Sequence, residues 1–311
     1  MAVAALVNGN REVLVSQRKQ GTHLGGYWEF PGGKQEPGES VEEALRRELG
    51  EELGIKPLSS RPLIRVRYDY PVKSVLLDVW KIESFSGLPE GLEGQRIAWR
   101  SINDLEKKLF PPADLPVITA LQLPSRCLIT GAFTSTIDFE SKLSAALNDG
   151  IRLVQLRLTH DWLKSNTLTY AHEIMQLCHR LCEQNSSKLM LNIPEGLKPL
   201  KGCGLHLNSR KLLEHGNRPG YEMVSASCHN RIELERAQSI GVDFALLSPV
   251  RETCSHPGAQ ALGWEAFSEL VDDINIPVYA LGGMSTEDTG LAWKSGGQGI
   301  AAIGAFWNQL H

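Results

Sequence analysis

The sequence predicts an α/β protein of two domains, the second of them a (β/α)8 barrel. Three observations carry that expectation. At 311 residues the chain is longer than one hydrophobic core usually serves. The stretch FPPADLPVITALQLPSR holds four of the sixteen prolines and changes the rhythm of the chain, which places a boundary at Leu123 and domains at 1–123 and 124–311. Beyond it, eight short apolar runs alternate with helical patterns over about 185 residues, the pattern of a closed ring of buried parallel strands.

In chain order, MAVAALVNGN reads as a first strand closed by a turn at Asn8-Gly9. It has no basic start and too short an apolar run for an export signal, which points to the cytoplasm. The next strong signal is GGKQEPGESVEEALRRELGEELGI. Ser40 is a natural N-cap and Glu43, three residues on, completes a capping box, so a helix is expected from Val41 to the glycine at 54. On a helical wheel Ala44, Leu45, Leu49 and Leu53 form the buried stripe. Glu48 and Glu52 fall about 20° either side of Val41, inside that stripe, and Glu51 lies at its edge. A solvated face would put glutamates opposite the stripe, which describes only Glu43. Surface ion pairing accounts only for Arg47, four residues from both Glu43 and Glu51. Carboxylates gathered on a half-buried face repel and take up protons unless a cation neutralises them, and oxygen ligands suit Mg2+ or Mn2+ bridging to substrate phosphates.

The eight runs of the second half are CLIT, LVQLRL, KLMLNI, GLHLN, MVSASC, FALLSPV, VYALGG and GIAAIGAF, with helical patterns such as YAHEIMQLCHRLCE and NRIELERAQSI between most of them. An open doubly wound sheet is the alternative. In a barrel the polar strand-end residues Gln155, Arg157, Asn192, His206, Asn208, Ser227, His229 and Thr253 converge at one mouth, and the Gly282-Gly283 turn after the seventh strand suits phosphate.

Composition narrows the function further. Apolar residues make up 42% and charged residues 22%, ordinary for a globular protein. The net charge of -4 is spread evenly, with 16 basic and 17 acidic residues through Leu123 and 16 against 19 after it, so neither half has the basic excess a duplex nucleic-acid binder needs. No apolar run approaches a membrane span. All six cysteines lie in the second half without a C-x-x-C pair, as expected of reduced thiols. Cys178 and Cys182 fit the inner face of one helix better than a zinc site, which wants four ligands in paired spacings.

Gly33, Glu39, Arg47-Glu48-Leu49, Glu51-Glu52 and Gly54-Ile55 stand in the order and spacing of the Nudix box, and residues 1 to about 123 resemble the Nudix family. The resemblance implies an α/β/α sandwich with a mixed sheet and metal-dependent hydrolysis of a nucleoside diphosphate linked to another group. VLVSQRKQGTHLGGYWEFPGGK before the box, and LEGQ and FPPADLPVI after it, are similar to the MutT branch, the antimutator 8-oxo-dGTP diphosphatases. That likeness implies Gly32, Glu48, Glu51, Glu52 and Glu93 as metal ligands, Glu48, Glu51, Glu52 and Arg47 as catalytic residues, and Arg18, His23, Phe30 and Asp114 as nucleotide contacts. Phe30 would lie beside the purine and Asp114 would read its edge. Bacterial members often carry asparagine there, and a buried, protonated aspartate recovers the donor an amide supplies. As a cap of the helix after Pro112, Asp114 has a purely structural alternative.

Residues 125–311 resemble the thiamine phosphate synthase and TenI family of TIM-type barrels through QLR at 155–157, GLHL at 204–207, SPVRETCSHPGAQALGW at 248–264 and ALGGM at 280–284. Of the mouth residues, Gln155, Arg157, Thr253, Gly282 and Gly283 are the barrel ligand candidates. The chain departs from it where the family's lysine and two metal aspartates stand, with Thr159, Ile193 and Lys211 instead, and Pro249 stands near the TenI histidine. A barrel without those carboxylates holds magnesium poorly, so the expected function is a nucleotide-pool sanitising hydrolase, serving replication fidelity, with a catalytically reduced barrel that can still hold a thiamine phosphate or phosphate ligand. The alternatives are a bifunctional enzyme acting on thiamine-related diphosphates and a hydrolase regulated through the barrel.

Overall fold

The computed structural model describes residues 1–253, 258 and 260–307. Cys254 and much of the stretch TCSHPGA therefore lie outside the described residues. The chain divides into two compact units, Met1–Gln122 with Asp272–Asn275, and Leu123–Val271 with Ile276–His311.

The first unit runs β1 (Ala2–Leu6), β2 (Glu12–Gln17), β3 (Trp28–Glu29), β4 (Gly32–Gly33), α1 (Val41–Leu53), β5 (Lys56–Tyr70), β6 (Lys73–Ser86), β7 (Ile97–Ser101) and α2 (Leu115–Gln122). One sheet is mixed, in the order β4-β1-β6-β5, with β1 parallel to β6 and antiparallel to β4; the other is β3-β2-β7, antiparallel throughout. Strand alternation sends the residues of β1 to opposite faces. Ala2, Ala4 and Leu6 pack with Ala44, Leu45, Leu49 and Leu53 of α1. Val3 and Ala5 join Val13, Val15 and the α2 residues Val117, Ile118, Ala120 and Leu121. The sheets therefore lie between two helices, the α/β/α sandwich expected.

Helix α1 starts and stops for the reasons the sequence supplies. Ser40 Oγ accepts from the Glu43 amide, the Glu43 carboxylate accepts from the Ser40 amide, and Gly54 at φ 67° ends the helix by donating to Gly50 and Leu49 carbonyls.

The second unit carries β8 (Arg126–Ile129), α3 (Thr136–Asn148), β9 (Leu153–Arg157), α4 (His160–Lys164), α5 (Leu168–Gln184), β10 (Lys188–Asn192), β11 (Gly204–Leu207), α6 (Ser209–Glu214), β12 (Val224–Cys228), α7 (Arg231–Ile240), β13 (Phe244–Leu247), α8 (Gly263–Val271), β14 (Val278–Leu281), α9 (Thr289–Lys294), β15 (Gly299–Ala302) and α10 (Gly304–Trp307). Strands β8 to β15 are all parallel and close into a barrel through β15 and β8, which rules out the open sheet. The run GIAAIGAF is not one strand: it stops at Ala302, and Gly304 opens α10. Cys178 and Cys182 lie on the buried face of α5, as their spacing indicated. The five described cysteines are free thiols. No helix among the described residues is long and apolar enough to cross a membrane.

The lumen is packed at its base by Cys127, Leu153, Met190, Phe244 and Tyr279. Alternation then puts Gln155 and Arg157 of β9, and Asn192 of β10, on the lumen face above that layer. A cavity of about 240 Å³, lined by His179, Glu183, Lys188, Glu222 and Met223 among others, opens by the N-terminal ends of β10, β11 and β12, away from the mouth.

Candidate functional site

In the first unit the site grows from the contact between α1 and the backbone of β4. The tight approach of Gly33 explains its lack of a side chain: a Cβ there would lie 2.2 Å from the Glu48 carboxyl. Glu52 accepts from the Gly32 amide at 3.2 Å. Burial pushes the Glu52 carboxyl up to about 7, the Gly32 hydrogen bond opposes that, and Glu48, Glu93 and Glu29 add to it through their charge.

Arg47 is the counter-cation. It contacts Glu39 at 3.0 and 2.9 Å, Glu48 at 2.9 Å, Glu51 at 3.4 Å and the Lys34 carbonyl at 2.9 Å. The pairing with Glu43 that the helical spacing suggested is not among these contacts. The Glu43 carboxylate is occupied by the Ser40 amide and hydroxyl, and Arg47 reaches back to Glu39 instead. Glu93 sits on the loop before β7, 3.4 Å from the Lys19 ammonium.

The donor set suits a hard cation in kind: it is all oxygen, it accumulates negative charge, and burial already makes one member hard to ionise. Among the described residues no three His, Cys, Asp or Glu side chains converge as a finished metal cage. Arg47 and Lys19 hold the outer carboxylates instead.

Beside these carboxylates lies a second group. Arg18 donates through Nε to the His23 carbonyl at 2.9 Å and pairs closely with Glu29. The His23 ring meets Tyr70 edge-on at 5.3 Å, and Tyr70 packs on Tyr68 at 4.7 Å. Phe30 is buried and stacks on Phe110, with centroids 5.7 Å apart. Asp114, 6% exposed, ends a 3-10 turn, Pro112–Asp114, that runs directly into α2. Burial first, then the charge of Glu29, pushes its carboxyl up to about 8 against the pull of Arg18.

The structure thus brings Arg18, His23 and Asp114 together, with Phe30 in the wall, and adds residues the sequence reading passed over. Glu29 is raised by burial and opposed by Arg18, and its charge is felt by both Asp114 and Glu52. Tyr68 and Tyr70 share one face of β5, a period-two signal present in RYDY; Glu29 sits in a strand of two residues, too short to show a period.

At the barrel mouth Gln155 is buried, and Arg157 donates its amide to the Thr130 hydroxyl at 2.9 Å. His206, 1% exposed, lies between the Ser225 and Ser227 hydroxyls at 2.8 Å each; burial, then the Arg157 charge, lower it to about 3, so it stays neutral. Two expected mouth residues are turned to other work. Asn208 caps α6 through the Lys211 amide at 2.9 Å, and the exposed His229 pairs with the Ser248 carbonyl at 2.8 Å. Thr253 is half-buried at the edge of the described residues. Gly282 and Gly283, at φ 103° and 65°, run so close to the loop after β13 that a Cβ would lie 2.9 Å from Pro249 Cα and 2.6 Å from the Glu252 carbonyl oxygen. Arg251 of that loop is fixed by Asp288 at 2.7 Å.

Comparison with known proteins divides at the same place. A NUDIX domain model matches residues 2–120, and a model described as thiamine monophosphate synthase matches residues 126–306. The chain is similar to the 8-oxo-dGTP diphosphatase of Escherichia coli, 39% identical over 122 residues that cover 39% of this chain and 95% of that protein. It is 34% identical to the CTP pyrophosphohydrolase of the same organism over 118 residues, 38% of this chain and 87% of that one. A putative thiamine-phosphate synthase of Aquifex aeolicus is 31% identical over 191 residues, 60% of this chain and 99% of that protein.

Proposed function

The chain belongs to two families, Nudix over residues 2–120 and thiamine monophosphate synthase over residues 126–306, and from that premise we propose that it is an 8-oxo-dGTP diphosphatase carrying a catalytically reduced barrel. The domains divide between residues 123 and 124, and the enzyme acts in the cytoplasm on oxidised purine nucleoside triphosphates, releasing monophosphate and diphosphate. The observation that carries the reading is Asp114. It is a buried carboxyl that burial pushes up to about 8, which favours the protonated form able to donate to the edge of an oxidised purine, and the charge of Glu29 acts on both it and Glu52.

Gly32, Glu48, Glu51, Glu52 and Glu93 would hold Mg2+, with Mn2+ as a substitute. A cation held there would supply charge neutralisation for the leaving diphosphate and a lowered pKa for the attacking water. Arg18 and His23 orient the nucleotide, and the Phe30–Phe110 stack walls the base. Arg47 keeps Glu48 and Glu51 aligned along α1, and a glutamate of that face accepts the water proton.

Side-by-side kinetics on 8-oxo-dGTP, dGTP, CTP and thiamine diphosphate, with Mg2+ and with chelator, test the proposal. Metal-dependent turnover that favours 8-oxo-dGTP supports it. Preference for CTP, or for the thiamine ester as in a bifunctional thiamine enzyme, overturns it.

A further inference from the structure

The divalent cation expected of a thiamine phosphate synthase barrel does not fit this one. Thr159 uses its hydroxyl to cap α4 through the Trp162 amide at 3.1 Å, and Ile193 is apolar and buried. Lys211, from α6, extends its ammonium to the Ile193 carbonyl oxygen at 3.1 Å. A positive charge is thus built in where a metal would need carboxylates.

A second cation stands beside it. Arg157 pairs with Asn192 in the β9–β10 ladder, the residue just before Ile193, and the Leu158 amide donates to the Asn192 carbonyl at 3.0 Å. Adjacent strands lie about 4.8 Å apart, so Arg157 and the carbonyl that anchors Lys211 occupy one side of the mouth. The charge of Arg157 also reaches the neutral His206 below it. The acidic residue of the loop after β10, Glu195, is engaged by Arg210 at 3.0 Å, and Glu214 of α6 by the same arginine at 3.6 Å. Among the described residues neither Lys211 nor Arg157 has an ion-pair partner. Among the described residues two cations without an ion-pair partner thus stand at the mouth beside Asn192 and the buried Gln155, a charge balance that favours an anion.

We propose that the barrel binds a phosphate monoester through Lys211 and Arg157 without a divalent cation, the Lys211 ammonium standing in for the metal. This rests on the reading of the barrel as catalytically reduced.

The test is calorimetric titration of the full chain with inorganic phosphate in chelator, repeated with excess Mg2+. Saturable binding is expected in chelator, unchanged by Mg2+. Lys211→Met and Arg157→Met should each weaken it at least tenfold, Lys211→Arg should keep most of it, and Lys108→Met in the first unit should bind as wild type. Unaltered melting temperatures show that the variants are folded. Binding that needs Mg2+, no saturable binding, or Lys211→Met and Arg157→Met that bind as wild type overturns the proposal. Production of thiamine phosphate from its pyrimidine and thiazole precursors instead sinks the reading of a reduced barrel, a separate measurement with a separate outcome.

Discussion

Glu52 and Asp114 are both carboxyls that burial makes reluctant to ionise, and they answer to different tests. Glu52→Gln keeps shape and hydrogen bonding but removes a ligand charge, so turnover at saturating Mg2+ should fall by at least about a hundredfold while the melting temperature holds. Near wild-type turnover would show that the metal is held elsewhere. At Asp114 the prediction concerns selectivity. Asp114→Asn retains a donor and should keep the preference for 8-oxo-dGTP over dGTP, whereas Asp114→Ala leaves a buried partner unmatched at a cost of about 1 to 3 kcal/mol and should lower that ratio roughly fivefold to a hundredfold. A selectivity ratio that survives in Asp114→Ala removes the proposed role. The direction with pH follows from the raised pKa: the folded site binds the proton more tightly than the unfolded chain. This carboxyl therefore lowers stability progressively between pH about 4 and about 8, and its donor is lost as pH passes about 8. Wild-type selectivity should decline across that point and that of Asp114→Asn should not. The sequence made the acidic cluster visible through helical spacing. The capping box it also showed commits Glu43 to Ser40, and Arg47 turns instead to Glu39, which precedes the helix and so has no place on the helical wheel.

Helix α1 is the element on which the site depends, and its cap was readable because a capping box is a local device of four residues. Ser40→Ala should cost about 1 kcal/mol and lower the first unit's melting temperature by about 4 °C. A melt indistinguishable from wild type would mean that packing of Leu45, Leu49 and Leu53 alone sets the helix. The eight barrel strands were equally legible, since each is a run buried on both faces. Strands β3 and β4 were not: at two residues each they exist through pairing with β2 and β1, and pairing leaves no periodic trace. The mouth was half legible for a related reason. Strand-end polar residues do gather there, but Asn208 was drawn away by the free amides of α6, a competition that spacing does not record.

Across the whole molecule, periodicity reported that the second unit's strands were buried but not which two were joined last, so closed and open sheets looked alike in the sequence. The structure joins Arg126–Leu128 to Ile300–Ala302, residues some 174 positions apart. That closure has a consequence for a chain emerging from the ribosome. The strands of the first unit are complete by Ser101 and α2 by Gln122, so all of this unit but Asp272–Asn275 can fold while the rest is still being made. The barrel cannot close until β15 has emerged, about ten seconds or more later at ordinary elongation rates. Until then β8 and β14 are open edges, the form in which strands recruit neighbours. Nascent chains stalled with residue 297 just outside the exit tunnel should resist protease across the first unit and be cut throughout the second, and bind chaperone there; stalling with residue 307 exposed should protect both. Protection of the second unit before β15 emerges would mean that seven strands suffice without the seam.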